Sequence, residues 1–103
     1  MTVVVVATIH PQPEHRAEVV SLFEATIERV HREDDGCELY AMHENSDTIV
    51  MIEKWSSKAA LAAHAAAPAL AELNPQLEGK LAEPTVVKVF TPHPAGTADQ
   101  GAL

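Results

Sequence analysis

Two residues of this 103-residue chain, Trp55 and His64, are placed to share one pocket. They close the run from Gly36 to His64, GCELYAMHENSDTIVMIEKWSSKAALAAH, where most of the chain's unusual chemistry is concentrated. An indole supplies a flat apolar wall with one N–H donor. An imidazole takes up or gives away a proton near neutrality. His64 stands on an expected helix among alanines, with Ala60, Leu61 and Pro68 on its face, so small neighbours leave space beside the ring. It reads equally as a histidine packed under a helix and bonded to a carbonyl, or as a working group in an open pocket. Trp55 ends a strand on the face of Met51 and Glu53, sealing a helix–sheet seam, walling an aromatic ligand with a free N–H, or both.

Tyr40 lies mid-strand on the face of Glu38 and Met42, where its hydroxyl donates to a ligand oxygen or reaches solvent at the sheet edge. Glu53 is expected at the surface, paired with Lys54 or Lys88, in preference to a buried base. Cys37 is the only cysteine, which excludes an internal disulfide framework and a cysteine-based metal cluster. It reads as a small buried thiol. His10 with His15, and His43 with Glu44, match no metal-ligand spacing. The four glycines are scattered, so no phosphate-cradling loop exists. Neither G-x-S-x-G nor H-E-x-x-H occurs. An enzyme built on this sequence is therefore expected to need no cofactor that announces itself by motif, and no metal.

The elements that must position these residues follow from periodicity. Thr2 to His10 is β-branched and apolar on both alternating faces, as in a central strand covered on both sides. Pro13 opens a helix to about Glu33, with Val19, Leu22, Phe23, Thr26, Ile27 and Val30 forming one apolar stripe. Gly36 ends it. Cys37 to Glu44 and Thr48 to Trp55 are strands joined by the turn Asn45-Ser46-Asp47. Ser56 or Ser57 caps the next helix, which Pro68 and Asn74-Pro75 kink or break. Leu70, Leu73, Leu77 and Leu81 share its inward face, and Pro84 announces a last strand, Thr85 to Thr91. Residues 1–92 are thus one domain, and 93–103 a mobile tail or an arm that orders on a neighbour.

The order βαββαβ, with right-handed crossovers, predicts an α+β ferredoxin-like antiparallel sheet with both helices on one face. The other face then carries apolar side chains from every strand with no helix over them. A second copy packed face to face would cover it, so burial alone predicts a homodimer. A net charge of −8 opposes nucleic acid and anionic membranes as partners. No apolar run is long enough to span a bilayer, and VVVVATI reads as a strand, which makes a cytoplasmic protein the default expectation.

These residues resemble the antibiotic biosynthesis monooxygenase domain of the dimeric α+β barrel superfamily. The matching features are GCELY after the first helix, the V-M-I-E-K-W strand, the S-x-x-A-L-x-x-H helix start and an apolar strand after a proline, spanning Val3 to Phe90. The resemblance implies a homodimer with a split barrel and a pocket between each sheet and its helices. It implies oxygenation of quinols or polyketide-like phenolics by O₂ without flavin, haem or metal. Trp55, His64 and Tyr40 would be the polar contacts, and Met51, Leu61, Phe23 and Glu53 the rest of the substrate's surroundings. Haem-degrading relatives use an asparagine in the first strand, which is absent here, so haem degradation is the weaker implication. A non-catalytic dimeric domain that binds small molecules or serves in stress is the alternative.

Overall fold

The computed structural model describes residues 1–103. Strand β1 (Val3–Pro11) leads through a single 3₁₀ turn (Pro13–His15) into helix α1 (Arg16–Glu33). Strands β2 (Cys37–Glu44) and β3 (Ile49–Trp55) follow, then helices α2 (Lys58–Ala66) and α3 (Pro68–Leu77) and strand β4 (Leu81–Phe90). The strands form one antiparallel sheet in the order β2-β3-β1-β4, with β1 central as its two-sided apolar pattern requires. This is the expected ferredoxin-like α+β fold.

Alternation decides which side chains reach the helices. Val3, Val5, Ala7 and Ile9 on β1, and Ile49, Met51, Glu53 and Trp55 on β3, all point to the helix layer and are buried. They meet Val19, Phe23 and Val30 of α1 and Leu73 and Leu77 of α3 in one core. The guanidinium of Arg16 grips the β2–β3 turn through the carbonyls of Asn45 (2.6 Å) and Ser46 (3.3 Å) and the Glu44 carboxylate (3.1 Å). Inside that turn the Asn45 side chain accepts from the backbone N–H groups of Asp47 (2.9 Å) and Thr48 (2.7 Å), which fixes the hairpin register.

Two boundaries depart from the sequence expectation. The second helical region breaks only at Ala67, which is extended ahead of Pro68, whereas Pro75 lies inside α3 and the helix continues to Leu77. Strand β4 begins at Leu81, four residues before Thr85, so Leu81 belongs to the sheet and not to the inward helix face. Pro84 is accommodated because β4 is an edge strand and because the β1–β4 register shifts on either side of His10. Gln12 ties the two strands at that irregular end, its backbone N–H donating to the Lys80 carbonyl (2.9 Å) and its side-chain amide to that of Gly79 (3.1 Å).

The far face of the sheet carries Val4, Val6 and Thr8 flanked by Val50 and Ile52 on one side and Val86 and Phe90 on the other. No helix covers it. Strand β4 also extends beyond the helix layer, so Val87 and Val89 are exposed on its other side. After β4 the chain curls back, Lys54 Nζ donating to the Leu103 carbonyl at 2.8 Å.

The corner between α1 and β2 is closely packed. Gly36 has φ +79°, and a Cβ there would lie 2.6 Å from Ser56 Oγ and 2.7 Å from Ala60 Cβ. Its carbonyl accepts the Ser56 N–H at 2.8 Å, which docks the start of α2 on the corner. Gly36→Ala combines backbone strain with overpacking and is expected to cost about 1–3 kcal/mol in urea denaturation. A loss within experimental error of zero would show that the corner yields.

Candidate functional site

Between the sheet and the helices lies an apolar cavity of about 320 Å³. Its floor is Val5, Ala7, Ile9 and Met51 of the sheet; Phe23, Leu61, Leu70, Leu73 and Leu77 close it from the helices. The polar groups within are Tyr40, Glu53 and His64, each at most 5% exposed. Asn74 and Thr85 stand at the exposed mouth, beside Val87. Of the seven sequence-derived site residues, six therefore line one space: Tyr40, His64, Met51, Leu61, Phe23 and Glu53. Trp55, fully buried, stands behind the imidazole and takes no part in the cavity wall.

Three rings make the inner end. The Trp55 and His64 centroids are 4.4 Å apart at 32°, a tilted stack, and Tyr40 sets its edge 5.2 Å from His64 and 6.2 Å from Trp55. Each is placed by a local rule. Tyr40 lies opposite Glu53 across the β2–β3 ladder, and its carbonyl contacts His31 Nε2 of α1 at 3.0 Å. Ser57 caps α2, its hydroxyl accepting the Ala60 N–H at 3.0 Å, and α2 then presents His64 as its one buried side chain.

The hydrogen bonds correct two expectations. Glu53 is not paired with a lysine at the surface: Lys54 and Lys88 both project from the opposite face of the sheet, as alternation demands. Glu53 is buried, and its Oε1 accepts the Trp55 indole N–H at 2.9 Å, so that N–H is not free for a ligand. The two residues are two apart on one strand face, which is the signal the sequence carried for this bond. The residue that sequence reasoning passed over is Asp34, read only as part of the helix stop. Its Oδ2 lies 2.6 Å from His64 Nδ1, with side-chain exposures of 5% and 4%.

Burial pushes the Glu53 carboxyl above its ordinary range, although the Trp55 N–H and His64 pull the other way. Burial, with Glu53 and Asp34 nearby, also pushes the Tyr40 phenol well up. Tyr40 is therefore a donor at neutral pH and not a base. Its hydroxyl has no protein partner, and neither does His64 Nε2; both belong to side chains on the cavity wall. No cluster of His, Cys, Asp or Glu can hold a metal ion. No helix is long and apolar enough to cross a membrane.

Comparison with known proteins bears on this geometry. The sequence model of the family described as antibiotic biosynthesis monooxygenase matches residues 2–75. The Mycobacterium tuberculosis protein Rv0793, itself named only provisionally as a monooxygenase, is 32% identical over 92 residues, covering 87% of this chain and 90% of that protein. Its solved structure superposes with TM-score 0.85 at 28% identity, over 94% of this chain and all of that one. A conserved protein from Methanosarcina mazei gives TM-score 0.81 at 25% identity, over 87% and 91% of the two chains.

The raised Glu53 carboxyl has a stability consequence whose sign is fixed. The folded state binds this proton more tightly than the unfolded state, so its contribution is full below the ordinary value of 4.5 and declines as pH rises through the folded one. Glu53→Gln keeps an oxygen for the Trp55 N–H and removes the titration. It is expected to melt like wild type below pH 4.5 and at a higher temperature than wild type once pH has risen through the range of the folded carboxyl. Parallel melting curves across that range would contradict the burial argument.

Proposed function

This chain belongs to the antibiotic biosynthesis monooxygenase family, and we propose on that premise that it is a cofactor-independent monooxygenase of small electron-rich aromatics, quinols or polyketide-like phenolics. The observation that carries the proposal is the cavity itself. In an otherwise apolar space of about 320 Å³, the Tyr40 hydroxyl and His64 Nε2 are polar atoms without protein partners. That volume lies at the small end of ligand pockets, about 300–1,000 Å³, and suits a compact planar molecule.

The chemistry asks little more of the protein. His64 Nε2 takes a proton from the bound substrate, and Tyr40 donates to the oxygen on which negative charge develops. The electron-rich anion reduces O₂, and a carbon–oxygen bond forms. For a methylene between two phenolic rings, two C–H bonds and the O–O bond break. One oxygen atom stays as a carbonyl, and the other leaves as water with both hydrogens. The protein desolvates, orients and shuttles protons, while the substrate supplies the electrons. Burial, which pushes the Glu53 carboxyl up, lessens its opposition to a substrate anion relative to an ordinary surface carboxylate.

The uncovered sheet face supports a homodimer as the working form. Val4, Val6, Val50, Ile52, Val86 and Phe90 give this face an apolar surface interrupted by Lys54 and Lys88, and an identical sheet would cover it by two-fold symmetry. Residues 1–92 then act as the domain, with 93–103 as an appendage beside that face.

A second reading draws on the same Asp34–His64 contact: His64 is structural, in a dimeric domain that binds small molecules without turnover. The two are separated by one set of measurements. Oxygen uptake is expected with hydroquinones or anthrones, abolished in His64→Ala and lowered about tenfold to a hundredfold in Tyr40→Phe. Under the second reading there is no uptake, and His64→Ala loses about 1–3 kcal/mol of stability while ligand binding survives. Sedimentation is expected to give twice the 11.1 kDa chain mass, falling to one chain in the double variant Val6→Asp, Ile52→Asp. A stable wild-type monomer at micromolar concentration would remove the dimer.

A further inference from the structure

The site as described leaves Asp34 without a task, although a carboxylate withdrawn from water must be compensated. We infer that Asp34 is the positioning residue of the site: its carboxylate holds the Nδ1 proton of His64, so that the atom offered to the cavity is the bare Nε2. This rests on the reading of His64 as the base and deepens it.

The imidazole is a partition between two spaces. On one side is the cavity, which His64 lines and Asp34 does not. On the other is a surface cleft of about 450 Å³ bordered by Asp34, Gly36, Ser56, Ala63 and His64. Asp34 Oδ2 stands 2.6 Å from Nδ1, and both side chains are at least nine-tenths buried. An ionised carboxylate only accepts, so this contact places the hydrogen on Nδ1. Nε2 lies across the ring from Nδ1 and has no protein partner. The neutral ring that results has its lone pair towards the cavity.

The carboxylate is held from both sides along the chain. Asp34 ends α1, its N–H donating to the Val30 carbonyl at 3.0 Å. Two residues on, the crowded Gly36 corner is bonded to Ser56 at the entry to α2. One corner thus fixes the carboxylate, and the helix docked on it brings the imidazole. When a substrate proton moves to Nε2, the imidazolium lies between the Asp34 carboxylate at its edge and the Trp55 face 4.4 Å away, and both favour the cation. The same Nε2 returns its proton to the departing oxygen, while the Nδ1 proton stays where it is.

The test begins without substrate. In ¹⁵N spectra of the histidine side chains, the His64 signal is the one missing from His64→Ala. It is expected in wild type to be the Nδ1–H form with unprotonated Nε2. An Nε2–H ring overturns the inference whatever the enzyme turns over. In Asp34→Ala the tautomer preference is expected to be lost. Its kcat should fall about a hundredfold with KM within about twofold, and formate entering from the cleft should restore part of kcat. Asp34→Asn fills the same space and keeps the test open should Asp34→Ala not fold; it is expected to lose kcat similarly, because an amide does not neutralise an imidazolium. Wild-type kcat in Asp34→Asn, with His64→Ala inactive, overturns the inference and leaves the proposed function standing. No oxygen uptake by wild type removes the proposed function, and the tautomer in the resting protein then supports or overturns the placement of Asp34 by itself.

Discussion

Desolvation is the constraint on which the rest of this structure depends. A histidine, two carboxyl groups and a phenol lie within one apolar layer, and a buried polar group left unpaired costs more than most packing gains can offset. The fold meets that cost with bonds made at short range in space, one within a single strand and one between segments thirty residues apart. Glu53 and Trp55 satisfy each other along one strand face. Asp34 and His64 satisfy each other across a helix-to-helix seam. The Tyr40 hydroxyl and His64 Nε2 have no protein partner, and both belong to side chains on the cavity wall.

The same constraint explains how the interior can be both packed and hollow. Side chains at the inner end interlock as three rings, with the fully buried indole backing the imidazole. Towards the mouth, aliphatic side chains from α3 and the sheet stand apart, and exposed Asn74 and Thr85 mark the exit. An aromatic molecule entering there would pass the Asn74 and Thr85 rim, then apolar walls, and reach Tyr40 and His64 last. That order favours a substrate whose reacting oxygen leads.

Much of this was legible in the sequence, because period-two and period-3.6 patterns are strong where one face is buried. The four strands and the Phe23 stripe follow from them. The failures have particular causes. An acid beside a lysine suggests a surface pair for Glu53, but alternation sends Lys54 to the other face. Asp-Asp-Gly reads as a helix stop and looks the same whether its first carboxylate, Asp34, faces water or a histidine thirty residues on. Leu81 continued the leucine spacing of a helix and was assigned to it, while Pro84 looked like a boundary; an edge strand with register shifts tolerates it.

Strand β4 has a consequence for how the molecule is assembled in time. Its register pairs Val4 with Phe90, so the central strand acquires its second neighbour only when nearly the whole chain is available. Closing so long a loop is among the slower steps of folding, because its entropy is lost before its contacts form. A nascent chain lacking its last fifth would hold β1, β2 and β3 under the helices with one flank of β1 bare. Thr85 and Val87, which rim the cavity mouth, would be missing. The pocket thus depends on its last strand: before β4 is in place there is a trough, and only with it a chamber.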